Sequence, residues 1–538
     1  MNKKIAEFLI RSLLERIEQS NEKTFLSSDE AAAIKLLFSK TDGSLPKGEL
    51  DAPNTDQEFT PIVALSINFD DVNTDQIMCL DFGTSFSKAF ACKDNGLFAE
   101  PDLIELHLDY LLDGSPNYLL PSELFIDGDD IYFGASARRR FNTVEADQTR
   151  LIDSPKQYMT LGTEVSKLSE KTLPETKDPK NRLSQRDALV IYIAHFNRLA
   201  EKALEEKNCS VNTVRRYTHP AWGKETIKAN SLAMKRIVAE AIAISRAYPD
   251  EFLKSANINM VKQMLVAAEK LDESELPLNL LKGAVREATA AGCGALTATP
   301  EGKREAYVIL DIGAGTTDIA GCICVHNSIT DEIKVSEVET AAKAFNKAGN
   351  FLDQILLNMV HGKLPYDKNS IEYKQVNNDL RRKIRAYKET LFVDGDLLIP
   401  LVTGDNVNIA LDDFMSDSRI EKFISDIQLT IQEAAFAVHP DGGTVKLVPT
   451  GGGARLSFIQ KFVNNGARKE SKTIQYDQVD AMPSSLKLSN PDLIEPYPQL
   501  AVAAGGSLPS LPKQVPPIPT GPTNTPKSYM RPSYKKTY

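Results

Sequence analysis

One segment near the start of the chain combines an aspartate, a glycine and two hydroxyl residues directly after an apolar run. It has the sequence LDFGTSFSKA and supplies Asp81, Gly83, Thr84 and Ser85. Glycine lets a backbone turn bring its N–H groups against an anion, and the hydroxyl groups add hydrogen-bond donors. An aspartate would repel phosphate directly, so its expected task is to hold a cation such as Mg²⁺. The segment therefore predicts a phosphate-binding turn beside a metal site.

A second segment, LDIGAGTTDIA, repeats this plan about 230 residues later. Its chemistry-bearing residues are Asp311, Gly313, Ala314, Gly315, Thr316, Thr317 and Asp318. One such hairpin alone is a common structural turn, but two of the same pattern indicate a duplicated half. Two hairpins that face each other would hold the phosphates and the Mg²⁺ of a nucleotide between them.

A third segment, VPTGGGARLSFIQ, places three glycines between a predicted strand and a predicted helix. It supplies Gly451, Gly452, Gly453 and Arg455. Free N–H groups at the helix start and a bare glycine backbone would accommodate a ribose or an adenine. The alternative is an ordinary strand-to-helix turn. The chain has no G-x4-G-K-[ST] sequence, which excludes a P-loop protein.

Alternating strands and helices are predicted to position these segments. We expect strands at 76–92 and 307–325, a strand ending in the third glycine segment, and helices at 187–208, 224–282, 351–360, 378–391 and after Arg455. This alternation predicts an α/β fold.

Composition excludes several classes of protein. The 538 residues are 42% apolar and 25% charged, which argues against a wholly disordered or fibrous chain. The net charge of −10 argues against nucleic-acid binding, because phosphate backbones attract an excess of Lys and Arg. No apolar run approaches the length of a transmembrane helix, so no transmembrane segment is expected. The six cysteines lack zinc-site spacing and are expected to be buried thiols in a reducing cytoplasm.

The two ends of the chain differ from its middle. Residues 1–40 predict amphipathic helices, which favour docking on a protein surface over binding a membrane surface, and residues 41–75 predict a linker. Residues 509–538 contain eight prolines, five basic residues and no acidic residue. That composition predicts a disordered tail, which is either only solvated or a docking segment with PxxP-like spacing.

From about residue 76 to 508, the order of these motifs resembles the actin, sugar-kinase and heat-shock-ATPase superfamily. The most similar group is the nucleotide-binding domain of the 70-kilodalton heat-shock chaperones (DnaK-like). Besides the glycine segments, YTHPAW is similar to that family's Pro-Ala-Tyr/Phe segment. The segments REATAAGCGAL, KAGNFLD, LRRKIRAYKETL and SPKQYM are also similar to family segments, and they place Glu287, Asp353, Lys388 and Lys156 at its functional positions.

The resemblance implies two ribonuclease-H-like (actin-like) lobes around a cleft that holds ATP and Mg²⁺. The implied metal residues, acting through bound water, are Asp81 and Asp311. The implied catalytic residues are Lys156, Glu287, Thr316 and Asp318, of which Glu287 and Asp318 would position the attacking water. The implied nucleotide contacts are Gly83, Thr84, Ser85, Gly313, Ala314, Gly315, Thr316, Lys388, Gly451, Gly452, Gly453 and Arg455. The implied division is lobe I at about 76–230 plus 465–508, a helical insertion at about 231–283, and lobe II at about 284–464.

Several residues depart from that family's pattern. Ala314 replaces the middle glycine of the second turn. Arg385 stands where the family has a ribose-contacting glutamate, Glu389 replaces a basic residue, and Phe392 replaces a serine. These departures reverse charge around the implied adenosine site and bear on nucleotide affinity and base preference.

The resemblance implies a cytoplasmic, slowly hydrolysing ATP-dependent switch related to chaperones. The family's peptide-binding domain is not expected in the 30 residues after Leu508. Protein partners would bind through the N-terminal helices, the insertion or the tail. The alternatives are an actin-like or MreB-like filament protein, a small-molecule kinase, and a nucleotide-binding scaffold without catalysis.

Overall fold

The computed structural model describes Leu65 and residues 71–515, apart from 96–100, 111–115, 145, 160–162, 221, 223–224, 297 and 330–331. The chain divides into two compact units, Met1–Thr60 and Pro61–Tyr538, and all described residues belong to the second unit. The predicted helices of residues 1–40 and most of the predicted linker therefore lie outside the described residues.

The described elements alternate between strands and helices along the chain. The strands are β1 Asn73–Asp81, β2 Phe86–Lys93, β3 Asp102–Glu105, β4 Asp109–Tyr110, β5 Pro116–Asn117, β6 Leu120–Pro121, β7 Leu124–Asp127, β8 Asp130–Phe133, β9 Thr213–His219, β10 Ser255–Asn257, β11 Leu281–Arg286, β12 Arg304–Ile312, β13 Thr317–Asn327, β14 Glu332–Val338, β15 Lys343–Phe345, β16 Asp396–Pro400, β17 Asn406–Ala410, β18 Gly443–Thr450, β19 Ala467–Lys469, β20 Lys472–Gln478 and β21 Lys513–Val515. The helices are α1 Gly134–Thr143, α2 Gln185–Glu206, α3 Ile227–Ala247, α4 Ile258–Glu269, α5 Glu287–Leu296, α6 Gly349–Gly362, α7 Ile371–Asp394, α8 Leu411–Met415, α9 Ser418–Val438, α10 Ser457–Asn465, α11 Ser484–Ser489 and α12 Tyr497–Ser507. The predicted α/β class is confirmed.

Two large sheets share one arrangement of strands. The first sheet has six strands and contains the run β3–β2–β1–β9–β11, and the second has eight strands and contains the matching run β14–β13–β12–β18–β20. The additional strands are β6 in the first sheet and β15, β19 and β21 in the second. In each run, three strands that are consecutive in the chain pair antiparallel: β1, β2 and β3 in the first sheet, and β12, β13 and β14 in the second. The last two strands of each run, β9 and β11 or β18 and β20, are parallel to its central strand, β1 or β12. The two glycine turns predicted from the sequence therefore occupy matching places, at the β1–β2 and β12–β13 hairpins.

Both faces of each sheet are covered, which explains the uninterrupted apolar runs in the sequence. We call the elements up to β11 the first half of the molecule and those from β12 to β20 the second half. Along β12, Val308 and Leu310 face the helices of the second half, whereas Tyr307 and Ile309 face α5 and α12. Successive strand residues point to opposite faces, so a strand buried on both sides needs apolar residues at every position.

Helices α5 and α12 lie between the two sheets and pack against both. They approach each other closely, since a Cβ built on Gly505 of α12 would collide with the backbone carbonyl of Ala290 in α5. Glycine at this crossing lets the two backbones touch.

Local sequence also sets the ends of the helices. Helix α2 begins at a capping box in which Ser184 and Asp187 exchange side-chain and backbone hydrogen bonds. Helix α7 ends at Gly395, which has a left-handed φ of 81°. None of the helices in the described part of the chain combines the length and apolar character that a membrane span requires.

Three boundaries predicted from the sequence need correction. The stretch 224–282, predicted to be helical, contains α3 and α4 and also β10, and it is followed by β11, which pairs with β9 in the first sheet. Strands β19 and β20, assigned by sequence to lobe I, join the second sheet because β20 returns after α10 to lie parallel to β18. The tail predicted to be disordered from residue 509 contains strand β21, which pairs with the edge strand β14, and residues 516–538 lie outside the described residues.

Candidate functional site

The two predicted glycine turns meet in the structure. A Cβ built on Gly315 would lie only 2.5 Å from Thr84 Oγ1, so the second turn touches the first directly. A Cβ on Gly83 would collide with the carbonyl oxygen of Phe86 within its own turn. Glycine is therefore required at both turns by close approach.

A cavity of about 380 Å³ opens where the turns meet. The sequence-predicted residues that line this cavity are Asp81, Gly83, Thr84, Ser85, Lys156, Glu287, Asp311, Gly313, Ala314, Thr316, Lys388, Gly451, Gly452, Gly453 and Arg455. Gly315 and Asp318 do not line the cavity. Gly315 contacts Thr84, and Asp318 is buried in β13. Residues from all three glycine segments and from α5, α7 and the Lys156 segment thus share one cavity.

Asp81 is held at the end of β1 by two donors. Thr218 Oγ1 donates to its Oδ1 at 3.0 Å, and Lys88 Nζ donates to its Oδ2 at 3.1 Å. The carboxyl group is 2% exposed. Asp81 is therefore oriented toward the cavity and already partly neutralised by a cation.

Lys156 and Glu287 form a buried ion pair, with Nζ 2.6 Å from Oε1. Lys156 lies on a short 3₁₀ turn, Pro155–Met159, and Glu287 is the first residue of α5. Burial raises the pKa of Glu287, and Lys156 opposes this rise. Burial works against the charged form of Lys156, but Glu287, Asp81 and Asp318 keep its pKa above the ordinary value. The pair places a fixed positive charge among the carboxylates.

The pKa values of the two carboxyl groups in the second hairpin, Asp311 and Asp318, are strongly raised. Burial, with the nearby Glu287 and Asp81, raises the pKa of Asp311 to about 7, and Thr450 Oγ1 donates to its Oδ1 at 3.2 Å. Burial and Glu287 raise the pKa of Asp318 to about 8. Perturbed acids in a cleft are typical of functional sites.

The donor set suits a hydrated Mg²⁺ ion better than a metal caged by protein. Among the described residues, no three His, Cys, Asp or Glu side chains are arranged to hold a metal directly. The buried Oδ2 of Asp318 has no hydrogen-bond partner in the described part of the chain, and an added cation would relieve the repulsion around it. Mg²⁺ keeps several waters and needs only one or two carboxylates plus phosphate oxygens. The residues present therefore fit Mg²⁺ bound together with a phosphate.

The third glycine segment packs against the second turn. Gly453 N donates to Ile312 O at 3.0 Å, and a Cβ on Gly451, whose φ is +77°, would lie 2.5 Å from Asp311 Oδ1. Gly452, in contrast, has no atom within 4 Å of its Cβ position. The segment thus offers a bare backbone surface to the open side of the cavity.

Helix α7 closes the other side of the cavity with two basic, one acidic and two apolar residues: Arg385, Lys388, Glu389, Phe392 and Val393. Lys388 Nζ lies 2.8 Å from Asp353 Oδ1 and donates to Gly349 O at 3.2 Å. Arg385 Nη2 donates to Ser85 Oγ at 2.7 Å, and its guanidinium lies 5.6 Å from the ring centre of Phe86. Arg385 therefore connects α7, from the second half, to the first glycine turn.

A second arginine of α7 makes a similar contact outside the cavity. Arg382 Nη2 donates to Ala146 O at 2.8 Å, and its guanidinium lies 5.1 Å from the ring centre of Phe141 in α1. Two arginines one turn apart thus join the halves of the molecule across the cavity.

Sequence reasoning missed some residues of the cavity. The clearest is Lys88, which the hairpin register places opposite Asp81. The same register in the second hairpin places Asp318 opposite Asp311. Counting residues outward from each turn could have found this pairing, which puts a cation in one hairpin where the other has an acid. Seven further lining residues were not singled out from the sequence. Phe86, Gly349, Leu352 and Leu456 lie within the quoted segments, whereas Val393, Gln499 and Val502 lie outside all of them.

No family model matches this chain, and no curated protein matches its sequence. What the cavity binds must therefore be inferred from its own geometry and chemistry.

We expect Gly315→Ala to separate the two turns, because its Cβ would overlap Thr84. Overpacking of this kind costs about 1–3 kcal/mol of unfolding free energy, measurable by urea denaturation. Gly362→Ala is the matched control, since nothing lies within 4 Å of the Cβ position of Gly362. Equal stability of the two variants would contradict the close contact between the turns.

The raised pKa of Asp318 predicts a pH dependence of stability in the metal-free protein. The pKa of Asp318 in the folded protein, about 8, exceeds the ordinary value of 3.8. The contribution of Asp318 to the free energy of unfolding is therefore complete below pH 3.8 and is lost as the pH rises through about 8. Asp318→Asn, which resembles the protonated acid, should lack this loss. The difference in unfolding free energy between wild type and variant should therefore change across that pH range, whereas parallel curves would show that Asp318 titrates normally.

Proposed function

We propose that this protein binds ATP together with Mg²⁺ in the cavity between its two sheets and hydrolyses the ATP slowly. The observation that carries the proposal is the direct contact of two equivalent glycine turns, one from each sheet, at a cavity lined by buried carboxylates and a buried lysine. Two turns rich in N–H and hydroxyl donors suit a chain of phosphates, and carboxylates beside them suit its metal ion.

We further propose that the two halves are ribonuclease-H-like lobes of the actin, sugar-kinase and heat-shock-ATPase superfamily, with the DnaK-like chaperones as the most similar group. The shared strand order of the two sheets and the matching positions of their turns support this. So does the pair of helices, α5 and α12, packed between the sheets.

The phosphates would lie against the two turns. Thr84, Ser85 and Thr316 supply hydroxyl donors there, and the backbone of Gly313 approaches without a side chain in the way. Asp81 and Asp311 would hold Mg²⁺ through water. Bound Mg²⁺ supplies positive charge that neutralises the phosphates and orients them for attack by water.

Lys156, Glu287 and Asp318 would carry the hydrolytic step. Lys156 supplies a positive charge at a fixed position, because its side chain is buried and paired with Glu287. Glu287 and Asp318, whose pKa values are raised, can each accept a hydrogen bond or a proton from a water beside the terminal phosphate. Turnover should be slow, since Glu287 is already committed to Lys156.

The nucleoside would occupy the side of the cavity formed by α7 and the third glycine segment. Gly452 leaves an open backbone surface, and Lys388 and Arg455 line the same region. Arg385, in place of an acidic residue, favours contact with a ribose oxygen or a phosphate over donation from a ribose hydroxyl to a carboxylate. Closure of α7 over the nucleotide would give partner proteins two states to distinguish.

Calorimetric titration of the full chain with ATP, ADP and AMP, each with Mg²⁺ and with a chelator, tests the proposal. ATP should bind more tightly with Mg²⁺ than with the chelator, and AMP should bind most weakly because it lacks the phosphates that the turns contact. Phosphate release from ATP should be measurable over hours. No binding of ATP at millimolar concentration, or binding that Mg²⁺ leaves unchanged, would overturn the proposal.

A further inference from the structure

A second cavity, of about 150 Å³, lies in the first half of the molecule, between α1 and α2. Residues 107–109 and 253–254 complete its wall. None of its lining residues belongs to the nucleotide cavity. An engineered cavity of this volume in another protein holds benzene, so a ligand of about six non-hydrogen atoms fits.

The floor of this α1–α2 cavity contains a buried hydrogen-bond acceptor without a donor. His195 is 2% exposed, and its Nδ1 lies 2.6 Å from the carbonyl oxygen of Phe252. A carbonyl can only accept, so Nδ1 carries the proton and Nε2 is left as the acceptor. Burial lowers the pKa of His195 to about 4, which keeps the ring neutral. In the described part of the chain, Nε2 has no hydrogen-bond partner.

The unpaired nitrogen lies beside the start of α1. A Cβ built on Gly134, the first residue of α1, would be 2.8 Å from His195 Nε2. Within the described residues, no side chain caps this helix and its first turn holds no acidic residue. Ala135 and Ser136, from that first turn, line the cavity. The N–H of Gly134 donates to the carbonyl oxygen of Glu123 at 2.9 Å, whereas the next N–H groups of the turn have no side-chain cap, and such groups at a helix start favour an anion.

The rim of the cavity is more basic than acidic. Arg139, Lys202 and Lys254 line it together with Asp109 and Glu206. Arg139 Nη2 also donates to Ser136 Oγ at 3.1 Å, which holds its guanidinium over the first turn of α1. Arg139 and the start of α1 therefore favour a negative group at the same place.

We propose that the α1–α2 cavity binds a small anion that also carries a hydroxyl group, of about the size of a three-carbon hydroxy acid. The anionic group would face the start of α1 and Arg139, and the hydroxyl would donate to His195 Nε2. A simple anion would leave the buried nitrogen unpaired, and a neutral alcohol would leave the helix start without a counter-charge. Both features are needed, and the size of the cavity favours a carboxylate over a phosphate ester as the anionic group.

Calorimetric titration of the full, nucleotide-free chain with lactate, propionate, lactamide and glycerol 3-phosphate tests this proposal. Lactate has both features, propionate lacks the hydroxyl, and lactamide lacks the charge. Loss of one hydrogen bond to a buried acceptor should weaken binding about two- to tenfold, so propionate should bind that much more weakly than lactate. Glycerol 3-phosphate has ten non-hydrogen atoms, so it should bind more weakly than lactate, and tighter binding would contradict the proposed size of the ligand.

Variants and a spectroscopic readout separate this site from nonspecific binding. Arg139→Gln should weaken lactate binding, whereas Arg468→Gln, an exposed arginine in the second half, should not. The ¹⁵N resonance of His195 Nε2 should shift on titration with lactate. Failure of all four probes at millimolar concentration, equal binding of lactate and propionate, or an unshifted His195 resonance would overturn the proposal. None of these readouts depends on ATP binding.

Discussion

Replacing Lys156 by methionine is expected to reduce ATP turnover by about 10²–10³-fold and to destabilise the protein. The loss of turnover follows from removing a fixed positive charge beside the terminal phosphate. The loss of stability follows because Glu287 would remain buried without its partner at 2.6 Å. Breaking one side of a buried ion pair costs about 3–5 kcal/mol of unfolding free energy.

The double variant Lys156→Met/Glu287→Met separates these two effects. Two apolar side chains of similar volume remove the unpaired charge, so unfolding free energy should return close to the wild-type value. Turnover should stay as low as in the single variant. Urea denaturation and a phosphate-release assay measure the two quantities. A double variant no more stable than the single one would contradict the buried pair, and retained turnover would exclude a catalytic role for Lys156.

Asp311→Asn is expected to move stability and function in opposite directions. The metal-free variant should melt at a higher temperature than wild type, because burial, Glu287 and Asp81 all disfavour the charged Asp311. Binding of ATP with Mg²⁺ should weaken strongly, since an amide is a poor substitute for a carboxylate beside a divalent cation. Functional sites commonly sacrifice stability in this way.

Melting temperatures with and without ATP and Mg²⁺ measure both effects together, because a ligand that binds only the folded state raises the melting temperature. Wild type should gain thermal stability from the nucleotide, and Asp311→Asn should gain little. Asp441→Asn is the matched control, since Asp441 is 83% exposed and its weak ion pair with Lys472 spans 3.5 Å. If Asp311→Asn binds ATP as tightly as wild type does, Asp311 does not belong to the metal site.

The sequence carried the parts of the site that depend on local order. An aspartate, a turn and hydroxyl residues within ten positions identify each hairpin, and the structure brings both hairpins and the third glycine segment to one cavity. The α/β class followed from alternating apolar patterns, and α2, α6, α7 and α10 lie where those patterns predicted helices.

The parts that could not be predicted depend on which distant strands and helices become neighbours. Lys88 faces Asp81 only because of the hairpin register, and Arg385 meets Ser85 only because α7 packs across the cavity. Strand β20 belongs to the second sheet because its crossover returns it beside β18. The α1–α2 cavity combines residues from 107 to 254 without a motif, so only the packed structure reveals the unpaired nitrogen of His195.

The close crossing of α5 and α12 has a mechanical consequence. Gly505 meets the backbone of Ala290 and the Cβ of Cys293, and none of these atoms can move by a change of rotamer to absorb a shift. Sliding one helix along the other would drive neighbouring side chains into this contact, whereas a rotation about it would leave the contact intact. We therefore expect any change in the angle between the two sheets to be a rotation about this crossing.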